Sequence, residues 1–353
     1  MTGSILIGNR PVGEGKPCYI IAEAGVNHNG DVTLAKQLIK AAAAAGADAV
    51  KFQTFVTGSV VTKDAEKADY QKETTGGEES QYDMIRKLEL TPGNFRTLHR
   101  YAARRHITFL STPADLSSLE VLVGLDLPAM KVSSGEVTNA PLLKAIGKTG
   151  KPVFLSTGMS TLGEIEGAIR FLREGGAGAI ILLHCVTSYP AALGEANLLA
   201  IRTLRCAFKL PVGYSDHTAG LLAPLAARVL GACVIEKHFT LNHDLPGPDH
   251  RASLEPAELA DMIRGIRDIE GALGDGIKRP SPQEESIRRV ARRSIVACAD
   301  IPAGVRIKEG MLSLKRPGSG LDPAFLPWIV GAYSRKRIKK DTLISLSDLD
   351  FRG

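Results

Sequence analysis

Residues 211–217 read Pro-Val-Gly-Tyr-Ser-Asp-His, and residues 234–238 read Val-Ile-Glu-Lys-His. Each is a short apolar run that ends in a histidine, and a segment long enough for a helix separates the two. If both runs are neighbouring parallel strands, His217 and His238 emerge at the same carboxyl-terminal edge of the sheet. Two imidazoles placed side by side in this way are suited to hold one metal ion.

The same strand-then-helix pattern repeats outward from these runs, between residues 18 and 273. Eight apolar runs are each followed by a helical pattern. The number of units and their total length, about 255 residues, predict an α/β fold of the (β/α)8 TIM-barrel type. The alternative is a doubly wound open sheet, which normally uses fewer strands and carries a G-x-G-x-x-G motif after its first strand; no such motif follows residues 19–24.

The alternation stops after the eighth unit, where residues 280–293 combine prolines with a charge run typical of a linker. Beyond it the sequence is β-like and interrupted by proline and glycine. We therefore predict a TIM-barrel domain over residues 1–280, a linker over 281–293 and a small β-rich domain over 294–353. A domain of about 60 residues has a thin core, so we expect it to dock against a barrel of its own or a partner chain.

Composition limits the classes of partner. The formal net charge is +6, but basic residues are spread along most of the chain and aromatic residues make up only 5%. This favours a small anionic substrate and argues against a nucleic-acid surface.

The five cysteines have no C-x-x-C spacing and indicate free thiols in a reducing compartment. With no apolar run of about 18 residues and no signal-peptide pattern, the sequence predicts a cytoplasmic protein without membrane contact.

Residues 56–90 form an insertion too long for a plain connection, and we interpret it as a lid over the site. The alternative is a partly mobile excursion of the chain.

The two strand-end histidines have carboxylates beside them in sequence, Asp216 and Glu236. Imidazole together with oxygen ligands suits Mn²⁺ or Mg²⁺ with positions left for water or substrate. Zinc is disfavoured because no cysteine is spaced to join the set. The alternative is a pair of buried histidines that are only hydrogen bonded.

Lys51 and Lys131 each lie within an apolar run. An unpaired ammonium group under a helix is costly, so we expect both side chains to point into the barrel cavity. Together with four hydroxyl groups they predict a cradle for a phosphate or carboxylate; these belong to Thr112, Ser134, Ser156 and Ser215. The alternative is an internal salt bridge to Glu23 or Glu136.

Glu136 follows Ser-Ser-Gly, and the glycine permits a tight turn that directs the carboxylate into the cavity as a general base. The alternative is a structural salt bridge between Glu136 and a lysine.

Asp249 and Tyr189 lie on proline-containing loops, where they would contact sugar hydroxyl groups or serve as ordinary turn residues. His28, His243 and His250 are loop histidines without an assigned role.

Motifs spread over nearly the whole chain resemble those of the sialic acid synthase family, which contains N-acetylneuraminate, legionaminate and pseudaminate synthases. The matching stretches are Ile21-Ala-Glu-Ala-Gly-Val-Asn-His-Asn-Gly30, Val50-Lys-Phe-Gln-Thr54, Lys131-Val-Ser-Ser-Gly-Glu136, Leu155-Ser-Thr-Gly-Met159, Gly213-Tyr-Ser-Asp-His217, Glu236-Lys-His-Phe-Thr240, Gly247-Pro-Asp-His250 and Lys315-Arg-Pro-Gly318. The small C-terminal domain resembles the antifreeze-like (SAF) domain of that family.

The resemblance implies a condensation of phosphoenolpyruvate with an N-acetylated amino sugar. His217 and His238 would hold Mn²⁺ or Mg²⁺, which polarises the sugar aldehyde. C3 of phosphoenolpyruvate attacks the aldehyde, Glu136 helps water add at C2, and phosphate leaves with cleavage of the C–O bond. The phosphoenolpyruvate-binding residues would be Lys51, Thr112, Lys131, Ser134, Ser156 and Ser215.

Contacts with the sugar are implied for Gln53, Tyr189 and Asp249, and the family forms a homodimer with swapped C-terminal domains. In that dimer Arg316 would reach the N-acetyl group in the partner's site. The sugar itself is least fixed, because Ala191 and Ala192 follow Tyr189-Pro190 where relatives often have Thr-Pro. N-acetylmannosamine, which gives N-acetylneuraminate, is the first prediction, and the diacetamido precursors of legionaminic or pseudaminic acid are the alternative.

Two other functions stay open at this point. A metal-dependent barrel hydrolase would use the histidines with Glu136 as base, but it leaves the cradle of lysines and hydroxyls unexplained. A non-catalytic carbohydrate-binding or assembly protein would use the C-terminal domain, and it leaves the polar strand ends unexplained.

Overall fold

The structure is a computed structural model that describes residues 4–351. The chain divides into two compact units, with the boundary between Gly274 and Asp275. Within the described residues, every helix is too short or too polar to cross a membrane. The five cysteines are all free thiols, and Cys18, Cys185 and Cys233 are buried.

The first unit is a parallel barrel preceded by a short hairpin. Strands β1 and β2 pair antiparallel, and the next eight strands form one parallel sheet with the order β5-β4-β3-β10-β9-β8-β7-β6. Strands β5 and β6, at the two ends of that order, come together to nearly close the barrel. In the described part of the unit, the strands are β1 (Ile5–Ile7), β2 (Arg10–Val12), β3 (Tyr19–Gly25), β4 (Ala49–Thr54), β5 (Thr108–Pro113), β6 (Met130–Val132), β7 (Val153–Ser156), β8 (Ile180–His184), β9 (Val212–Asp216) and β10 (Val234–His238).

Each barrel strand is followed by a helix, as a βα repeat requires. The connection after β4 also carries three short helices before its main helix. The helices of the first unit are α1 (Val32–Ala44), α2 (Thr57–Val60), α3 (Asp69–Thr75), α4 (Gln81–Arg86), α5 (Pro92–Arg104), α6 (Leu116–Val123), α7 (Ala140–Lys148), α8 (Leu162–Gly175), α9 (Ala200–Phe208), α10 (Leu222–Val229) and α11 (Pro256–Leu273). The predicted TIM-like barrel is thus confirmed, and the open doubly wound sheet is wrong.

Alternation along the strands separates two apolar cores. In β3, Tyr19 and Ile21 belong to the cluster inside the barrel, whereas Ile20 and Ala22 belong to the larger cluster between strands and helices. Because the side-chain period of a strand is two residues, Glu23 follows Tyr19 and Ile21 on the inward face. The same rule places a polar side chain above the inner apolar layer in several neighbouring strands.

The hairpin of β1 and β2 was not foreseen in the sequence. Its buried residues Ile7 and Val12 pack with the inner cluster, beside Tyr19 and Phe154. These residues lie toward the amino ends of the strands, so the hairpin adds apolar cover below the inner layer and leaves the carboxyl ends open.

The second unit has its own small core. Among its described residues, two antiparallel pairs form between β11 (Ser294–Ala297) and β12 (Leu312–Lys315) and between β13 (Tyr333–Ser334) and β14 (Leu349–Asp350). Helices α12 (Pro282–Ala291) and α13 (Leu326–Ile329) complete it. The segment that we interpret as a linker is therefore largely helical, since Ser281 and Glu284 form a capping box and Pro282 occupies the first turn. The predicted domain limits themselves stay a prediction.

Candidate active site

A cavity of about 320 Å³ opens at the carboxyl ends of the barrel strands. Its wall includes the two predicted metal-binding histidines, all six residues of the predicted anion cradle and three of the predicted sugar contacts. These are Lys51, Gln53, Thr112, Lys131, Ser134, Ser156, Tyr189, Ser215, His217, His238 and Asp249. Residues separated by up to 198 positions, from Lys51 to Asp249, therefore meet in one place.

Two predicted residues are not part of this wall. Glu136 lies in a 3-10 turn of residues 134–136, and its Oε2 accepts a hydrogen bond from Asn139 Nδ2 at 2.6 Å. The wall includes Ser133, Ser134 and Gly135, but the half-buried Glu136 carboxyl is turned away to Asn139. Arg316 lies in the second unit, immediately after β12, with its side chain exposed.

The two lysines are almost fully buried, each 3% exposed. Lys51 Nζ donates to Thr112 Oγ1 at 3.0 Å and lies 2.8 Å from Glu23 Oε2. Lys131 Nζ donates to Ser156 Oγ at 2.6 Å. The salt bridge to Glu23, proposed above as an alternative for the lysines, is thus present for Lys51, but within the cavity wall and beside the hydroxyl of Thr112.

Glu236 lies between the two ammonium groups. Its Oε2 is 3.8 Å from Lys51 Nζ, its Oε1 is 3.7 Å from Lys131 Nζ, and Ser215 Oγ donates to Oε1 at 2.9 Å. Burial raises the pKa of Glu236, but the charges of Lys131 and Lys51 together lower it by more than burial raises it. The pKa of Glu236 therefore lies below its usual range. Glu236 is therefore an ionised carboxylate that is paired with both lysines.

Glu23 behaves differently although it also faces a lysine. Burial raises the pKa of Glu23 to about 7, because only one ammonium group, that of Lys51, offsets the desolvation and the nearby Glu236 opposes it. For Lys51, burial lowers the pKa, but Glu23 and Glu236 together outweigh that effect and raise it. For Lys131, burial dominates and the pKa is lowered, with Glu236 opposing the change. Burial also raises the pKa of Asp249, to about 6. The cavity wall thus contains one carboxyl group with a lowered pKa, Glu236, and two with a raised pKa, Glu23 and Asp249.

The histidine pair stands beside these charges. The ring centroids of His217 and His238 are 5.4 Å apart. His217 Nδ1 lies 2.6 Å from the Val186 carbonyl oxygen, which fixes the ring, and Nε2 has no hydrogen-bond partner in the part of the chain that the structure describes. His238 Nδ1 has no hydrogen-bond partner among the described residues, and its nearest carboxylate oxygen, Asp249 Oδ2, is 3.8 Å away.

These imidazoles fit a metal ion. Burial lowers the pKa of both histidines, and a neutral imidazole is the form that binds a metal. A buried nitrogen without a partner on His238, and a backbone carbonyl that orients His217, are features of such ligands. In the described part of the chain, no group of three or more His, Cys, Asp and Glu side chains has metal-site spacing. An ion held here would take its other ligands from water or substrate.

Asp216, expected beside the metal, faces the other way. Its Oδ2 lies 2.6 Å from Lys237 Nζ, and its Oδ1 accepts from the backbone N–H of Thr218 at 2.9 Å. Alternation explains this arrangement, because Asp216 and Lys237 are the outward neighbours of the inward pair Ser215 and Glu236.

Gly158 allows its backbone to approach Ser134, one of the hydroxyl residues of the anion cradle. The Gly158 N–H donates to Ser134 Oγ at 3.0 Å. A Cβ atom at Gly158 would collide with Thr187 Oγ1 and lie 2.8 Å from Ser134 Oγ. Only glycine lets the backbone come this close, so the hydroxyl of Ser134 keeps its position in the wall.

The predicted lid covers one side of the cavity. Tyr70 of α3 packs on Tyr189 with ring centroids 5.2 Å apart, and Tyr189 in turn packs on His217 at 4.2 Å. The buried Lys67 ammonium holds the end of α3 by donating to Thr75 Oγ1 and to the Gly76 carbonyl, both at 3.0 Å. The lid residues that line the cavity are Val60, Val61, Tyr70, Gln71, Gln81, Met84, Ile85 and Leu88.

Thr187 and these lid residues lie in the cavity wall without a role predicted from the sequence. Glu23, predicted only as a possible salt-bridge partner of the lysines, lies at the end of an apolar strand in register with Lys51. The lid sequence has no regular pattern of apolar residues from which the positions of Gln71 and Gln81 in the cavity wall could be predicted.

Comparisons with known proteins agree over most of the chain. A model described as the NeuB family matches residues 38–278, and one described as the SAF domain matches residues 292–350. An N,N'-diacetyllegionaminic acid synthase of Campylobacter jejuni is 50% identical, over 93% of this chain and 99% of the relative. A human N-acetylneuraminate-9-phosphate synthase is 34% identical, over 98% and 96% of the two chains. The crystal structure of an N-acetylneuraminic acid (sialic acid) synthetase from Leptospira borgpetersenii, in complex with citrate, matches with a TM-score of 0.72 and 36% identity, over 81% of this chain and 95% of that one.

Proposed function

Because the chain belongs to the NeuB family, with a C-terminal SAF domain, we propose that it condenses phosphoenolpyruvate with a diacetamido hexose to give a nonulosonic acid of the N,N'-diacetyllegionaminic type. Relatives that cover nearly the whole chain are named as synthases, so this chain is an enzyme. The choice of sugar corrects the first prediction, N-acetylmannosamine. The legionaminic acid synthase is 50% identical to this chain and the N-acetylneuraminate-9-phosphate synthase 34%, which favours the alternative.

One observation carries the proposed chemistry: two buried ammonium groups and two buried imidazoles share a single cavity. Lys51 and Lys131, with the hydroxyls around them, would bind the phosphate and carboxylate of phosphoenolpyruvate. At an effective dielectric constant near 20, each pair of opposite charges about 4 Å apart gains about 4 kcal/mol before desolvation. Two such pairs are enough to hold a small dianion.

His217 and His238 would hold Mn²⁺ or Mg²⁺, which when bound supplies Lewis-acid polarisation of the sugar aldehyde. Gln53, Tyr189 and Asp249 would contact and orient the open-chain sugar. C3 of phosphoenolpyruvate forms the new bond to the aldehyde carbon with the electrons of its C2–C3 π bond, the aldehyde C=O π bond breaks and its oxygen takes up a proton, and C2 becomes electron-poor. Water adds at C2 with loss of one proton. The tetrahedral centre then expels inorganic phosphate as its C–O bond breaks, and the C2 hydroxyl loses its proton to leave the ketone of the nonulosonic acid.

A carboxylate must take the proton of that water. Glu23 is the better placed group, because it lies in the cavity wall between Lys51 and the side chain of Gln53, whose Nε2 donates to Glu23 Oε1 at 3.3 Å. We therefore assign proton transfer to Glu23. Glu136 would act as the general base only if its side chain rotated from Asn139 into the cavity.

We also propose the homodimer, with Arg316 acting in the partner's site. Exposed aromatic side chains of the second unit support a protein contact there, since Phe325 is 50% and Trp328 75% exposed.

Arg316→Ala is expected to raise KM for the sugar at least about tenfold, the loss expected for a hydrogen bond from a charged group. KM for phosphoenolpyruvate should stay within about twofold, because the anion cradle consists of barrel residues. Steady-state kinetics with each substrate varied in turn measures both. Arg335→Ala, a second exposed arginine of the same unit, is the matched control and should change neither value. An equal loss for both substrates would refute the assignment of Arg316 to the sugar.

The proposed function is tested by a panel of sugars. The protein is incubated with phosphoenolpyruvate, Mn²⁺ and either N-acetylmannosamine or the diacetamido hexose that gives N,N'-diacetyllegionaminic acid, and product masses are recorded. We expect phosphate release only when both substrates are present and faster turnover of the diacetamido hexose. Preference for N-acetylmannosamine would restore the first prediction, and phosphate release without a sugar would favour a hydrolase.

A further inference from the structure

Two glutamine side chains of the lid meet at the cavity. Gln81 Nε2 donates to Gln71 Oε1 at 3.3 Å. Gln71 Oε1 also accepts from the backbone N–H of Ala68 at 3.0 Å, and Gln71 Nε2 donates to the Tyr70 hydroxyl at 3.3 Å. Gln71 is thus held from three sides by the lid itself. Within residues 4–351, the structure gives the carbonyl oxygen of Gln81 no hydrogen-bond donor.

Apolar side chains share the helix face of Gln81. Met84 and Ile85 follow Gln81 by three and four residues on α4, and Met84 is only 3% exposed. Both line the cavity, as does Val61. A side-chain amide with a free acceptor, adjacent to aliphatic and thioether groups, complements a secondary amide that carries a methyl group. An acetamido group has this composition, with an N–H donor, a carbonyl acceptor and a methyl.

Packing places this corner away from the histidine pair. The Tyr189 ring contacts His217 and His238, with centroids 4.2 Å and 5.4 Å away. The Tyr70 ring centroid lies 5.2 Å from that of Tyr189, and Gln71 Nε2 donates to the Tyr70 hydroxyl, so two aromatic rings connect the histidines to the amide pair. A sugar whose aldehyde lies at the histidines would therefore present atoms from farther along its chain to the two glutamines.

We propose that Gln71 and Gln81, with the wall formed by Val61, Met84 and Ile85, form the subsite for the second acetamido group, and that this part of the lid determines the choice of sugar. This inference rests on the proposed function, because it takes the aldehyde end of the sugar to lie at the histidines. N-acetylmannosamine has a hydroxyl instead of the second acetamido group, so it forms fewer hydrogen bonds here and leaves the apolar wall uncovered.

The test uses Gln81→Met, which keeps the length of the side chain and removes its amide. We expect kcat/KM for the diacetamido hexose to fall about tenfold, while the value for N-acetylmannosamine changes less than about twofold. Glu73→Leu, an exposed position on α3 outside the cavity wall, is the control and should leave both values unchanged. Gln71→Met should shift the preference in the same direction, and it provides a second variant if Gln81→Met does not fold.

Calorimetric binding of each sugar to the wild-type protein and to Gln81→Met separates this inference from the proposed function. If the wild type turns over neither sugar but binds the diacetamido hexose in a Gln81-dependent manner, the subsite stands and the proposed reaction fails. If the wild type makes the expected product and Gln81→Met loses both sugars equally or neither, the subsite is overturned while the reaction stands. A wild type that neither binds nor converts the diacetamido hexose overturns both.

Discussion

Lys131→Met is expected to lower kcat/KM for phosphoenolpyruvate by about a thousandfold. Lys131 is one of two ammonium groups in the anion cradle, and its side chain is 3% exposed. Methionine keeps most of the side-chain volume but removes the charge, and the loss of one charge pair at about 4 Å amounts to about 4 kcal/mol at an effective dielectric constant near 20. Initial rates with phosphoenolpyruvate varied at saturating sugar measure the effect.

Lys131→Met should lower catalytic activity without lowering the free energy of unfolding. The buried ammonium is costly to desolvate, and Glu236 keeps Lys51 as a partner, so we expect the free energy of unfolding to stay near the wild-type value or to rise. Lys237→Met is the contrasting variant, because Lys237 is equally buried but pairs with Asp216 outside the cavity. Its removal leaves Asp216 without its ammonium partner and should cost about 3 kcal/mol of stability. A loss of less than tenfold in kcat/KM for Lys131→Met would contradict the anion cradle.

His217→Ala is expected to weaken Mn²⁺ binding by at least about a hundredfold and to reduce turnover at fixed Mn²⁺ accordingly. Loss of even an indirect partner of a ligand typically costs about 10- to 100-fold in metal affinity, and the protein offers only two imidazoles here, so removal of one ligand should cost at least as much. Isothermal titration of the protein with Mn²⁺, without substrates, measures the affinity independently of catalysis.

His184 provides a matched control for this experiment. It is also a buried histidine at the end of a barrel strand, but its Nε2 lies 2.9 Å from the Ala196 carbonyl oxygen and it is not part of the cavity wall. His184→Asn should leave Mn²⁺ affinity unchanged. Equal affinity in His217→Ala and the wild type would show that the histidine pair holds no metal.

The barrel could be predicted because its signal is repeated. Each apolar run is short, and each is followed by a helix, so errors in single boundaries do not change the fold. Strand β10 matches the apolar run at residues 234–238, and β9 covers residues 212–216 of the run at 211–217. After β6 the chain enters the 3-10 turn of residues 134–136, which turns Glu136 toward Asn139.

Residues of the anion cradle could be predicted by type and position, because inward alternation and the cost of a buried charge both direct Lys51 and Lys131 into the cavity. The ion-pair partners of these lysines were harder to predict. Glu236 pairs with both lysines, which lie on strands distant from it in sequence, and the order of strands in the sheet brings the three side chains together. Alternation along β9 turns Asp216 outward, and the register of β9 with β10 places it beside Lys237.

The lid illustrates where sequence reasoning stops. Its helices α2, α3 and α4 have four, seven and six residues, too short for an apolar period to identify a buried face. Contacts with the barrel loops fix their position instead, including the packing of Tyr70 on Tyr189 and the hydrogen bond from Thr74 Oγ1 to the Pro248 carbonyl at 3.4 Å.

The central claim is that one cavity joins phosphoenolpyruvate to the sugar and releases phosphate by breaking a C–O bond. It is tested most directly with phosphoenolpyruvate that carries heavy oxygen at the atom joining carbon to phosphorus, together with Mn²⁺ and the diacetamido hexose, followed by mass spectrometry of both products. We expect the label in inorganic phosphate, none in the nonulosonic acid, and no phosphate release without the sugar. Label retained in the sugar acid, or labelled phosphate formed without any sugar, would contradict the account.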